Sequence, residues 1–273
     1  RPGRVLALRA EADAVLPPGE DVAEPVYGAP ARWIDAATQE EAALTGATLV
    51  APAEVLATHL LETIKRNLAR LLTHKAMRRL LDELVNLSDP TRAEANRRLL
   101  DELVPDRAPL DLLHRVLRLL LEEQVSIRNL PLILEAVAEA RLAHARPEAV
   151  CEEVRQRLGF QLVAGLRRED GTLPLVQLAP DWEDTFAAYQ LEGEQGGLDV
   201  ALPPDAFNRL ADGLASEMAA ASERGVSPAL VTSTRRRRFL RTVMAAKGVS
   251  NPVLSFEEIG LEARPVLVGT VAA

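Results

Sequence analysis

A chain of 273 residues with 48% hydrophobic but only 3% aromatic residues exceeds what one small core organises. It implies several subdomains packed with Leu, Val, Ile and Ala. One cysteine, Cys151, excludes an internal disulfide and a cysteine-based zinc site, and a net charge of -8 excludes a protein that grips phosphate backbones over its whole surface.

"RVLALRA" (4–10) reads as a short strand, and "LPPGEDVAEPVYGAP" (16–30) as a Pro- and Gly-punctuated loop. A strand ending at Ile34, a helix over 36–44 capped by Asp35 or Thr38, a stop at Gly46 and a strand over 47–50 complete a small α/β piece. From Pro52 to Leu72 the apolar residues Val55, Leu56, Leu60, Ile64, Leu68 and Leu71 recur at helical spacing, with Pro52 in the first turn, where no backbone donor is lost. Neither the opening "RPGRVLALRA" nor any later run has a signal layout or a membrane-spanning length, so a soluble, cytosolic fragment is expected.

Helices over 75–85, 92–104 and 110–124 follow, punctuated by Pro90, Pro105 and Pro109. "LEEQVSIRNLPLILEAVAEA" (121–140) joins the last of these to another helix through a corner of a few residues. Asn129 stands at the cap, Pro131 in the first turn, and Val125 and Ile127 plug the corner. After a helix over 147–160 the texture changes. Strands at 173–178, 228–233, 251–256 and 265–271 alternate with helices at 204–223 and 234–247, the pattern of an open α/β sheet layered with helices.

Chemistry is sparse along this path. No Gly-rich phosphate loop, dinucleotide fingerprint, HExxH or nucleophile elbow occurs, and "LEGEQGGLDV" reads as a flexible turn. His59 and Glu62 share a helix face, but two ligands do not make a metal site. His74, His114 and His144 read as isolated, and Cys151 has no neighbouring histidine to activate it. The run Arg235–Arg238 heads a helix, and four consecutive residues wrap round it, so they form no flat phosphate-binding face. A solvated or salt-bridged surface is expected there. Tyr27 is either a ring tucked over the local core or an exposed anchor for a partner.

In this order, "YGAPARWID", "TLVAPAEVLATHLLETIKRNLARLL", "VLRLLLEEQVSIRNLPLILEAVAEA", "VRQRLGFQL", "PALVTSTRRRRFLRTVMA" and "NPVLSFEEI" resemble the cytosolic C-terminal region of the type III secretion export-gate family, called FlhA in flagella and SctV in injectisomes. The resemblance implies an α+β multi-subdomain fold: a small α/β part at 1–51, a long helix at 52–72 belonging to an incomplete first subdomain, a helical ring-building subdomain at 73–146 and an open α/β subdomain at 147–273. It also implies a membrane-embedded half outside this sequence, at the cytoplasmic face of the bacterial inner membrane, and assembly into a homo-oligomeric ring. Export chaperone–substrate complexes and other export-apparatus proteins are the implied partners, with no nucleic acid, no cofactor, no metal and no catalytic turnover. Carried over by position, the chaperone-binding residues become Glu24, Tyr27 and Thr58, where the family often has Asp and Phe at the first two. Arg128 at the helix corner is a candidate ring contact, against a local salt bridge or a free surface charge. The flagellar branch is favoured over the injectisome branch. The alternatives are a small enzyme using the ends of the α/β strands and a nucleic-acid module built on Arg235–Arg238.

Overall fold

The computed structural model describes residues 3–8, 15–26, 28–192, 198–260 and 262–273. The chain divides into two compact units, Arg1–Thr73 and His74–Ala273.

The first unit is built on a four-stranded antiparallel sheet. Its strands are β1 (Arg4–Leu8), β2 (Gly19–Ala23), β3 (Pro30–Asp35) and, after the short helix α1 (Gln39–Leu44), β4 (Thr48–Val50), in the order β2-β3-β1-β4. Alternation along β1 divides the core between the two sheet faces. Ala7 packs with Leu16, Ile34, Ala42 and Ala47 on the α1 side, and Leu6 packs with Ala31 and Val55 on the other. The stretch 16–30, expected to be loop, contains β2. Only Val22 on that edge strand is even half-buried, so no period-2 signal marks it. What holds it is a cross-strand pair: Asp21 lies opposite Arg32 and takes two bonds from its guanidinium, at 2.7 and 2.9 Å. Between β3 and α1 the Asp35 carboxylate accepts from Ala37 N, so the expected helix begins as a 3-10 turn, Ala36–Thr38.

Helix α2 (Pro52–Leu71) closes this unit, with Glu54 accepting from the Ala51 backbone N–H at its start. Only Val55 and Ala69 of its twenty residues are buried, while Leu56, Leu60, Leu61, Ile64 and Leu71 are exposed. The helical periodicity is real, but within the described residues only Val55 of its apolar series joins the core, and most of the stripe is left bare.

The second unit begins with helices α3 (His74–Val85), α4 (Pro90–Leu103), α5 (Leu110–Glu122), α6 (Leu130–Ala140), α7 (Pro147–Arg157) and α8 (Gly159–Ala164). The expected subdomain boundary at 146/147 falls inside this unit, at the start of α7, which packs against both α5 and α6. Next come β5 (Thr172–Leu178), α9 (Asp181–Ala188), the hairpin β6 (Gln190–Glu192) and β7 (Leu198–Val200), α10 (Pro204–Glu223), β8 (Ala229–Thr232), α11 (Thr234–Ala246), β9 (Val253–Ser255) and β10 (Arg264–Val271). Strands β10-β5-β8-β9 form a parallel sheet, the open α/β architecture expected from the alternation. Both faces are covered, as parallel sheets require. Val176, Leu230, Val253 and Val271 meet α9, α10 and α11, and Leu175, Val231 and Leu254 meet α8 on the reverse.

The corner between α5 and α6 reverses the chain through Gln124 at φ 58, with Val125 buried beneath it, as expected of the plug. Asn129 holds the N-cap position of α6, but its side chain makes no capping bond. An N-cap oxygen normally accepts from the second or third helical N–H, and the second residue here is Pro131, which has none.

Candidate functional site

Two of the three chaperone-binding candidates lie among the described residues, both in the first unit. Glu24 opens the β2–β3 turn, where its N–H donates to Ala29 O and its carbonyl accepts from Gly28 N. Thr58 is exposed on the second turn of α2. Tyr27 lies outside the described residues. The turn carrying Glu24 is tied to α2, because the guanidinium Nη2 of Arg66 donates to the Val26 carbonyl at 3.2 Å. Arg66 follows Thr58 by two helical turns, about 12 Å along the axis. Of the exposed leucines of α2, Leu61 at 51% stands one turn on from Thr58, while Leu56 at 67% and Leu60 at 56%, two positions before and after it, lie on the far side of the helix. This unit therefore presents a polar turn, a threonine and a run of bare leucines, a surface suited to holding a protein.

His59 and Glu62 gain no further ligand. No group of three or more metal-binding side chains occurs among the described residues, and the Glu62 carboxylate takes Lys65 Nζ at 2.6 Å. Two of the histidines read as isolated are in contact, the rings of His74 and His114 lying 4.0 Å apart. His144 faces Glu153 at 3.4 Å. The partner of His74 is 40 residues on and that of His144 nine residues on, across the break before α7, so spacing alone hides them.

The corner between α5 and α6 carries a group that sequence reasoning missed. Glu123, its first residue, reaches the guanidinium of Arg237 at 2.5 and 2.9 Å. Arg237 is fully buried and also binds Glu152 through two bonds of 2.5 Å. Arg155 meets Glu123 at 3.2 Å and Glu258 at 2.6 Å, and both arginines donate to the Val253 carbonyl. Three carboxylates and two guanidiniums, from the corner after α5, from α7, from α11 and from the 3-10 turn Phe256–Glu258, thus pair with one another inside the unit. Burial alone would raise the Glu123 carboxyl, but the hydrogen bond and charge of Arg237, with Arg155 and Arg241, hold it below the usual carboxylate range. Burial would lower Arg237, yet Glu152 and Glu123 raise it above an ordinary guanidinium. Gly159 allows this packing, since a Cβ there would run into the carbonyl oxygen of Glu258.

The arginine run is therefore not the uniform surface expected of it. Arg236 and Arg237 point inward, and Arg236 spans Glu183 at 3.3 Å and the Phe186 ring at 5.2 Å. Arg235 and Arg238 stay exposed. The glutamates that claim Arg237 are 85 and 114 residues away, which no local pattern reveals. Arg128 is exposed at the corner and forms no ion pair among the described residues.

At the carboxyl ends of the parallel strands the polar groups are engaged in structure. The Ser255 hydroxyl accepts from Glu258 N, Glu258 takes Arg155, and Thr234 donates to Glu257 at 2.7 Å. Cys151 is 3% exposed, and burial, with Glu152 adding to it, pushes its thiol up to about 12. It should therefore resist a thiol-labelling reagent at about pH 8 in the folded protein and react fully once unfolded, since the thiolate is the nucleophile. Rapid native labelling would contradict this burial.

A model of the FHIPEP family matches residues 1–264. The chain belongs to the FHIPEP family. Among FHIPEP relatives, it is 38% identical over 271 residues to the flagellar biosynthesis protein FlhA of Caulobacter vibrioides, covering 99% of this chain and 37% of that protein. It is 29% identical over 266 residues to FlhA of Bacillus subtilis, covering 97% and 38%. The FHIPEP segment in hand thus spans little more than a third of the length of these curated relatives. Two solved structures share its fold. Nonameric SctV-C of EPEC has a TM-score of 0.75 at 19% identity, covering 98% of this chain and 78% of that one. The CdsV–CdsO complex of Chlamydia pneumoniae has a TM-score of 0.77 at 20% identity, covering 99% and 76%.

Proposed function

We propose that this FHIPEP chain is the cytosolic docking part of a type III protein export gate, in a flagellar rather than an injectisome system. It binds export chaperone–substrate complexes and catalyses no reaction. The flagellar reading is supported by the 38% identity to a FlhA, against 19–20% to the injectisome structures. The observation that carries the docking reading is the bare leucine stripe of α2, which reaches Thr58 at Leu61, with the Glu24 turn bonded to the same helix through Arg66. Exposed apolar surface of that extent beside polar side chains marks a protein contact. Recognition without turnover is supported by Ser255, Glu257 and Glu258 at the strand ends, which are committed to structural bonds.

The nonameric state of EPEC SctV-C supports a ring for this chain too, with unpaired Arg128 as a contact to a neighbouring copy. Further export-apparatus partners are supported by the CdsV–CdsO complex. No helix among the described residues is long and apolar enough to cross a membrane, so the proposed anchor in the bacterial inner membrane lies in the part of the relatives that this chain does not span.

Tyr27→Ala tests the binding residue that the family resemblance supplies. Truncating an aromatic hot spot weakens binding of a substrate-loaded export chaperone by about 2 kcal/mol in calorimetric titration. Equal affinities would remove Tyr27 from the site.

A further inference from the structure

The inward side of α11 uses Arg236 and Arg237 on carboxylates. Its other side carries Arg235, Arg238 and Arg241, spaced three apart and so stacked along one stripe of the helix. None of the three forms an ion pair among the described residues, and Nη1 of Arg241 is shut off from solvent without a hydrogen-bond partner. All three line a recess of about 930 Å³ within the second unit, between α11, the connection from α6 to α7 and the end of α5.

The acidic groups around this recess bond mainly to other arginines. Glu123 and Glu152 are held by Arg237, with Arg241 acting on Glu123 from farther off, and Glu148 lies 3.5 Å from Arg115 and 4.0 Å from Arg146 and also feels the charge of Arg238. Glu122 is left at the rim. On a chain of net charge -8, the lining balances Arg146, Arg235, Arg238 and Arg241 against Glu122, Glu123, Glu148 and Glu152, with the arginines of α11 grouped along one side. Buried guanidinium N–H groups without acceptors are costly, and an incoming carboxylate supplies the missing partner.

The shape of the charge selects among anions. Successive guanidiniums along the stripe are separated by about 4.5 Å of helix rise, so the three span about 9 Å, more than one carboxylate or phosphate can bridge. A uniform polyanion such as nucleic acid would also meet the carboxylates of Glu122, Glu123, Glu148 and Glu152 in the same recess. A peptide can place carboxylates against the arginines and neutral or basic groups elsewhere. We propose that this recess docks an acidic segment of a partner protein, whose carboxylates pair with Arg235, Arg238 and Arg241. The site lies wholly in the second unit and involves neither Glu24, Tyr27 nor Thr58, so it stands or falls separately from the docking surface on α2.

Fluorescence anisotropy with a labelled peptide carrying three glutamates separated by pairs of alanines tests the proposal on the whole chain. Saturable binding that weakens with added salt is expected. Arg238→Gln, at an exposed position, should weaken it several-fold, and Arg238→Gln with Arg241→Gln by about tenfold. Arg168→Gln, on an exposed arginine away from the recess, should leave it unchanged. Unchanged thermal unfolding of Arg238→Gln keeps that variant decisive even if the double variant folds poorly. Three results would overturn the proposal: no binding at low salt, equal affinity for Arg238→Gln and the parent chain, or displacement by inorganic phosphate or an oligonucleotide as effective as by unlabelled peptide at equal charge.

Discussion

Arg237→Met lowers the unfolding free energy by about 3–5 kcal/mol in urea denaturation at neutral pH. The substitution keeps apolar volume but leaves the buried Glu152 without its two charge-assisted bonds and the half-buried Glu123 with only Arg155. The loss comes from that stranded charge, so adding Glu152→Gln to the variant should recover part of it. The pH dependence has a definite sign. In the parent chain the Glu123 carboxyl lies below its unfolded value, so its contribution is present above the ordinary carboxylate range and is lost as pH falls through the depressed folded value. In the variant burial acts on the Glu123 carboxyl without Arg237 to oppose it, so protonation relieves it. The stability gap between the two chains therefore narrows on acidification towards about pH 4. A gap that stayed constant with pH would show that packing, not charge, sets the cost.

Trp182→Ala is expected to cost about 3–5 kcal/mol by the same measurement. The indole is 1% exposed on α9, lies 5.9 Å from the Phe186 ring and joins the core between the sheet and α10. Its Nε1–H donates to the Ala272 carbonyl at 3.0 Å, just beyond the end of β10. Strand β10 lies beside β5, on the side opposite β8 and β9. Trp182 therefore fills the end of the sheet where the strand order reverses, the crevice in which open α/β sheets commonly hold ligands. Trp182→Phe retains most of the packing and loses the bond, at about 1 kcal/mol. A small effect of the alanine variant would show that the crevice can close without the ring.

Elements with a period long enough to count were legible before the structure: α2, α5, α6, α10 and α11 fall within a few residues of their expected limits. The apolar runs of β5, β8 and β9 were legible too, because strands buried on both faces carry no polar alternation. What escaped was short or held by distant partners. Strand β2 exists through Asp21 facing Arg32, and α9 buries only Trp182 and Phe186, one turn apart. The half-buried Glu123 and the buried Glu152, Arg155, Arg237 and Glu258 come together only in the fold, and read singly each is an ordinary surface residue. The α2 stripe illustrates the converse. Its spacing identified a helix, but spacing cannot say whether an apolar face meets a core or another protein. Glu24 and Thr58 came from family resemblance, because neither lies in a pattern that chemistry alone would select.

The central claim is that this chain works by holding other proteins on the surface that contains Thr58. Titrating a substrate-loaded export chaperone into the complete cytosolic region, with and without Thr58→Arg, tests it most directly. The account predicts saturable binding by the parent chain and at least a tenfold weakening, about 1.4 kcal/mol, by the variant, with both chains melting alike. Equal affinity of the two, or no binding by the parent chain, would contradict it.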